Sequence, residues 1–474
     1  MQPGTKLRKS VHALTSTAWY WEDDSLSEPV AGPAGIHYAA ETSRTYTHKQ
    51  SASTGPSTMT TAIPTARQLE YQDWEFGIFL HFGIRTFYEG HRDWDGKPMS
   101  PDAFNPTSLD CDQWVESAKQ AGAKYMVLTA KHHDGFANWP SKYTDFSVAS
   151  SPWKDGKGDV VREFTDACRR HGIKPGLYYS PADWASPVYE DEEAYDNYFI
   201  DQISELLVGY GEIDVLWFDG CGSSGHTYDW PRITREIRRM QPNILIFSMG
   251  DPDFRWVGNE LGIAPVPCWN TVEEVSVAVD TAEREKVGEK RPIWLPAECD
   301  CRMRFRNWFY SDADVDTVKS LDELMGLYSY SVGRGCNLLL NIGPDRRGLL
   351  PDPDTRRLLE FGDEVARRFN SPVASLPDAT REGNSWTFGF DPPQLLDHAV
   401  LQEDLTAGEH VRAFSVQINP NHEKRWIPVW QGQNVGSKAI CHFPLVAVRN
   451  LQVTFDDADD GAALRALGLF CTSE

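Results

Sequence analysis

From about residue 64 to residue 369 short apolar runs alternate with segments whose apolar positions recur every three or four residues. The runs Phe76–Phe82, Tyr125–Lys131, Lys174–Ser180, Val215–Asp219, Ile244–Ser248, Cys268–Thr271, Ile293–Glu298 and Cys336–Ile342 read as strands. Between them Phe199, Ile200, Ile203, Leu206, Leu207 and Tyr210 set one apolar stripe against a sheet. Cys111–Ala121, Val160–His171, Arg232–Met240 and Leu321–Val332 also read as helices. Such alternation over ~300 residues predicts an α/β domain, a (β/α)₈ TIM-like barrel. No strand is followed by G-x-G-x-x-G, so the alternative, an open doubly wound sheet, lacks support.

After about Arg367 the period changes. Short alternating strands (Trp386–Phe390, Ala399–Glu403, Arg412–Gln417, Trp426–Trp430, Ala439–Phe443, Asn450–Phe455, Leu467–Phe470) are punctuated by Gly, Asp, Asn and Pro, the pattern of a β-sandwich. The expected organisation is a Ser/Thr/Ala/Gly-rich, poorly ordered extension (1–63), the barrel (64–367) and a C-terminal β-sandwich (368–474). Bracing the barrel is the expected role of the sandwich, and glycan binding the alternative.

Polar and aromatic residues collect where the predicted strands end: His81, His132, His133, Tyr178, Asp219 and Glu298. In a barrel those ends share one mouth, and the mouth is the active face. The 17 Trp and 17 Tyr suit a sugar-stacking cleft as well as a core. A net charge of −23 argues against nucleic acid, whose binding needs cationic side chains to neutralise phosphate. No apolar run approaches the ~20 residues of a membrane span, so no membrane partner is expected. The first residues lack an apolar signal core, which points to the cytoplasm, with secretion the alternative. Nine cysteines without a framework spacing read as free thiols. Cys299-Asp300-Cys301 is too tight for a zinc knuckle, and neither metal nor cofactor is expected.

The mouth lacks a nucleophile elbow, a P-loop and H-E-x-x-H, but it holds carboxylates, histidines, an arginine and aromatics. Glycoside hydrolysis uses such a set: one carboxylate attacks or activates water and another protonates the leaving oxygen. Asp219 ends Val215-Leu216-Trp217-Phe218-Asp219-Gly220, and is either functional or a helix N-cap. His132 and His133 in KHHDGF face different sides, which suits hydroxyl recognition better than metal binding, or marks a core and a turn histidine. His81 is a core histidine or a ligand contact. Glu260 and Glu298 each add a carboxyl.

In order along the chain, FGIFLHFG, KHHDGF, GLYYSPADW, WFDG, RWVGNE and GCNLLLNIGP resemble the α-L-fucosidases of glycoside hydrolase family 29. The end of the chain is similar to the galactose-binding-like sandwich found in many members. The resemblance implies a retaining enzyme with Asp219 as nucleophile and Glu260 as acid/base, Glu298 being the competitor. It implies a fucose pocket of His81, His132, His133, Tyr178, Trp217 and Arg255. Asp93-Trp94 stands where members commonly have Glu-Trp, a departure that bears on affinity or sugar preference. The R-W-x-G-N-E and P-A-E-x-D runs are most similar to the branch that cleaves α1,3/1,4-linked fucose from Lewis-type glycans, with Glu298, Asp300 and Trp308 contacting a second sugar arm. The implied partner is therefore a fucosylated oligosaccharide or glycoconjugate. An exo-glycosidase for a related sugar and a catalytically silent fucose-binding lectin are the alternatives; oligomeric state is not specified by the sequence.

Overall fold

The computed structural model describes residues 62–90, 97–223, 225–272, 292–419 and 425–473, all within the unit Met59–Glu474. The stretch read as an N-terminal extension falls, but for its last two residues, outside them. Helix α1 (Ala66–Trp74), capped by the Thr65 side chain on the Gln68 N–H, leads into strand β1 (Phe76–Leu80). Then come α2 (Cys111–Gln120), β2 (Tyr125–Lys131), α3 (Val160–His171), β3 (Lys174–Tyr179), α4 (Glu192–Gly209), β4 (Val215–Trp217), α5 (Trp230–Met240) and β5 (Leu245–Phe247). Asp110, Asp159, Asp191 and Asp229 cap the four helices after α1, each accepting the N–H three residues on. That satisfies a donor the first turn leaves open and fixes where each helix starts; α4 begins at Glu192, seven residues ahead of the apolar stripe read from Phe199, and α5 at Trp230, two ahead of Arg232.

After β5 the alternation breaks. Strand β6 is the dipeptide Arg255–Trp256, reached without a helix, and β7 (Thr271–Val272) and β8 (Ile293–Trp294) form a separate antiparallel ribbon. Strand β9 (Ala297–Arg302), α6 (Leu321–Tyr330), β10 (Asn337–Asn341) and α7 (Asp352–Phe369) complete the first part. The eight strands of the sheet run in the order β5-β4-β3-β2-β1-β10-β9-β6, with parallel pairing throughout. A parallel bridge from Phe247 to Phe254 brings the two ends together, so the barrel is nearly closed. Two strand expectations are corrected. Cys268–Thr271 is not the sixth barrel strand; Arg255–Trp256 is. The seventh begins at Ala297, four residues later than the apolar run Ile293–Glu298 suggests.

Side-chain parity divides the core in two. Ile78, Leu80, Met126, Leu128 and Leu177 face the helices, whereas Phe79, Tyr125, Val127, Tyr178, Trp217, Phe247 and Leu339 fill the barrel. Tyr71 and Trp74 of α1 join the inner group.

The C-terminal part is one antiparallel sheet of β11 (Ala374–Ser375), β12 (Thr380–Glu382), β13 (Ser385–Glu403), β14 (Val411–Asn419), β15 (Ile427–Gly432), β16 (Ala439–Ala458) and β17 (Leu464–Phe470), around its own apolar core. Four expected short strands merge into two long ones: β13 and β16 pair along most of their lengths, with register shifts where a turn was expected. Its Glu409 reaches back to the barrel and accepts the Asn270 and Thr271 N–H groups and the Asn270 amide at 2.7–3.1 Å. Lys438 pairs with Glu75 at 2.5 Å and Arg465 with Asp73 at 2.6 Å.

Candidate active site

At the C-terminal ends of the barrel strands lies a cavity of about 130 Å³, room for one sugar ring. It is lined by Phe79 of β1 and His81 just after it, His132 and His133 after β2, Tyr178 of β3, and Trp217, Asp219 and Cys221 at the end of β4. Trp256, Glu260, Asp300 and Trp308 complete the wall. A larger cavity of about 760 Å³ follows the seam between α6 and the C-terminal sheet and shares none of these residues.

The Asp219 side chain is the partly open carboxyl, 18% exposed. Its Oδ1 accepts the Cys221 N–H at 2.9 Å, and its Oδ2 accepts the Tyr178 hydroxyl at 3.0 Å with His133 Nε2 at 3.6 Å. It is therefore held by local backbone and by two neighbouring strands, and it caps no helix: the next helix, α5, is capped by Asp229.

The three histidines are buried and have distinct partners. Asn341 donates through Nδ2 to the Trp308 carbonyl at 2.8 Å, so its Oδ1 faces His81 Nδ1 at 2.7 Å. That assigns the proton to Nδ1 and leaves His81 Nε2 as an acceptor. Burial pushes the His81 pKa down to about 3, against the Asn341 bond, with His133 and Arg302 adding to the fall. His132 stacks on Tyr178 (5.4 Å, 9°) and is held well below the usual range by burial, with His133, Arg85 and His81 adding to the fall. His133 Nδ1 meets Ser180 Oγ at 2.6 Å; burial lowers its pKa although Asp219 pulls it up. Neutral imidazoles can both give and take hydrogen bonds, as sugar hydroxyls require.

Trp217 is fixed from three sides: stacked on Phe247 (4.0 Å, 14°), stacked on Tyr178 (5.4 Å, 20°), and donating Nε1 to Glu298 Oε1 at 2.8 Å. Glu298 itself lies beneath the cavity, fully buried, its Oε2 accepting from Tyr71 at 2.8 Å and Tyr125 at 2.5 Å. It does not line the cavity, so neither substrate contact nor acid/base work is open to it. Arg255 also points elsewhere: its guanidinium donates to the Trp269 carbonyl at 3.1 Å and lies 3.5 Å from Cys268 Sγ. Because Trp256 turns into the cavity, its strand neighbour Arg255 must face the other way. Asp93 and Trp94 lie outside the described residues.

Glu260 follows β6 on an irregular segment, its side chain half exposed. Partial burial raises its pKa; Arg302 opposes the rise, Asp219 adds to it, and a hydrogen bond from Trp308 opposes it. Asp300 is buried and accepts the Trp256 indole N–H at 2.7 Å; burial, then the Glu260 charge, pushes it well above the usual carboxylate range. Sequence reasoning missed Arg302, Asn341 and Trp256. A period-two reading of β9, carrying Glu298, Asp300 and Arg302 on one face, was the available signal for Arg302. Among the described residues no group of three His, Cys, Asp or Glu side chains is placed to hold a metal ion.

Comparison with known proteins gives a consistent answer. Residues 42–367 match the family model "Alpha-L-fucosidase", a match that begins ahead of the predicted barrel boundary at residue 64. The chain is 34% identical to putative α-L-fucosidase 1 of Oryza sativa subsp. japonica and 33% to α-L-fucosidase 1 of Arabidopsis thaliana. Those alignments cover 89% and 86% of this chain and 87% of each relative. A crystal structure of a putative α-L-fucosidase from Bacteroides thetaiotaomicron superposes with a TM-score of 0.78 at 35% identity, over 86% of this chain and 97% of that one. A Ruminococcus gnavus family 29 fucosidase in complex with fucose gives 0.75 at 25% identity, over 87% and 95%.

Proposed function

The chain belongs to the α-L-fucosidase family of glycoside hydrolases, and from that premise we propose that it is a retaining exo-enzyme releasing terminal α1,3/1,4-linked fucose from Lewis-type glycans. The observation that carries the reading is that Asp219 and Glu260 open on the same small cavity in unlike surroundings. Asp219 is oriented by Tyr178 and the Cys221 N–H. Glu260, its pKa raised by burial and by the Asp219 charge, is suited to hold a proton. Two carboxyls with environments that differ in this way divide nucleophile from acid.

In the proposed sequence an Asp219 oxygen attacks the anomeric carbon while the glycosidic C–O bond breaks and Glu260 gives its proton to the leaving oxygen. Glu260, now ionised, takes a proton from water. The hydroxide so formed attacks the same carbon, breaks the ester to Asp219, and fucose leaves with its anomeric configuration retained. His81, through its Nε2 acceptor, and the neutral His132 and His133 bind hydroxyls, and Trp217 supplies the stacking face. Trp256, Asp300 and Trp308 around Glu260 are polar and aromatic groups suited to a second sugar, which supports the linkage reading; Glu298 has no part in it.

The test is hydrolysis of an aryl α-L-fucoside and a Lewis-type trisaccharide in parallel, with the first anomer released followed by NMR. Fucose release from both, as the α-anomer first and reduced at least about a thousandfold in Asp219→Asn, is the expected result. The β-anomer first would overturn retention, turnover of the aryl substrate alone would overturn the linkage, and binding without release would favour the lectin reading.

A further inference from the structure

Strand β9 alternates with period two. Cys299 and Cys301 pack into apolar clusters on one side. Glu298, Asp300 and Arg302 share the other side and climb the barrel from its interior to its rim. Glu298 holds Trp217 from below, Asp300 lines the cavity, and Arg302 reaches Glu260. The Arg302 guanidinium lies with Nη1 3.9 Å from Glu260 Oε2 and with its carbon 5.2 Å over the Trp308 ring. It donates to the Arg306 carbonyl at 3.4 Å, and Glu260 is the one carboxylate it pairs with among the described residues.

From this geometry we propose that Arg302 is a positioning residue for the acid/base, steering the Glu260 carboxyl over the leaving-group side of the cavity. The inference rests on the acid/base reading of Glu260. The segment carrying Glu260 has no regular secondary structure and leaves the side chain half exposed, so its orientation depends on what it meets. What it meets is a flat cation held in place by stacking on Trp308, itself a donor to Glu260. A separation of 3.9 Å is loose for an ion pair. A tight bidentate pair would lock Glu260 as a carboxylate and spoil it as an acid, whereas a loose one attracts it and still lets it hold a proton. Once the leaving group has departed, Arg302 favours the ionised form that must activate water. The groups facing Glu260 are Asp219 after β4, Asp300 on β9, Arg302 at its end and Trp308 beyond it. Burial and the Asp219 charge favour the protonated form of Glu260, Arg302 and Trp308 favour the ionised one, and Asp300, itself raised by burial and the Glu260 charge, holds its own proton. Arg302 is the cation in that set, and removing it leaves burial and the Asp219 charge less opposed.

The experiment compares kcat/KM across pH for α-L-fucosyl fluoride, whose departure needs little proton donation, and for a Lewis-type trisaccharide, whose departure needs much. Arg302→Gln should lose at least about tenfold more on the trisaccharide than on the fluoride, and its alkaline limb should move to higher pH. Arg302→Lys, which keeps the charge, should recover the position of the limb. Equal losses on both substrates, or an unmoved limb, would overturn the proposal. Glu260→Gln is measured alongside. If it shows no leaving-group dependence, the acid/base reading has failed; if it does and Arg302→Gln does not, only the role of Arg302 has failed.

Discussion

Beneath the cavity Glu298 takes hydrogen bonds from Tyr71, Tyr125 and Trp217 in a place the solvent does not reach. Burial raises its pKa, and the three donors oppose the rise. Glu298→Gln would keep the shape but set an amide N–H₂ against two hydroxyls that now donate, forcing them to turn their protons away. We expect a loss of about 1–3 kcal/mol in unfolding free energy and a higher KM, as Trp217 loosens. Unchanged stability and KM would mean that Glu298 does not anchor the indole. His81 and Asn341 carry the same lesson about individual residues. The histidine was legible as a strand-end polar group, but its tautomer is fixed by an amide 260 positions away in the chain, which no local pattern reports. Arg255 and Glu298 were legible as polar residues near the mouth. Which way each points follows from strand parity, and parity is unknown until the strand's start is known.

Strand β6 shows the cost of that uncertainty at the level of elements. Two residues long, it offers no run for a period to act on, whereas Cys268–Thr271 looks strand-like and lies outside the barrel. The longer elements read well where an apolar stripe recurs over several turns, as in α2; the first turns of α4, set by the Asp191 cap, precede its stripe and were not read. On β1 the constraint is steric. A Cβ on Gly77 would stand 2.6 Å from the Tyr125 ring, the ring whose hydroxyl serves Glu298. Gly77→Ala should therefore overpack the barrel interior by about 1–3 kcal/mol and pull Tyr125 off its partner. Denaturant unfolding is the measurement; a stability within error of the parent would show that the ring can step aside.

For the whole molecule the seam between barrel and C-terminal sheet matters. Glu409 of the C-terminal part caps the backbone at Asn270 and Thr271, close to the Cys268 and Trp269 atoms that hold Arg255. The C-terminal sheet thereby holds the far end of the segment that carries β6 and Glu260. Nearby Glu403, buried and accepting the His410, Val411 and Gly436 N–H groups, has its pKa pushed up to about 7 by burial, with the Glu409 charge adding. The folded chain thus holds this proton more tightly than the unfolded chain does. Its contribution to stability is complete below the ordinary glutamate pKa of about 4.5 and is lost as pH rises through about 7. Relative to Glu403→Gln, the parent should lose up to about 3 kcal/mol over that window, measured by urea unfolding. A difference that stays flat from pH 4.5 to 8 would refute the assignment.

Family resemblance supplied Trp217, Asp300 and Trp308 of the cavity lining; fold class, the strand-end location of the cavity and its lining by His81, His132, His133, Tyr178 and Asp219 were determined by the sequence alone. They rest on local causes: apolar period, helix caps, and the rule that parallel strands end at one mouth. Tertiary structure decided the rest. It chose the two-residue sixth strand, turned Arg255 away, sank Glu298 beneath Trp217 and stood Arg302 beside Glu260. Each of these depends on which strand lies next to which and on the side a residue faces. Both are set by closure of the barrel, a condition that no single segment contains.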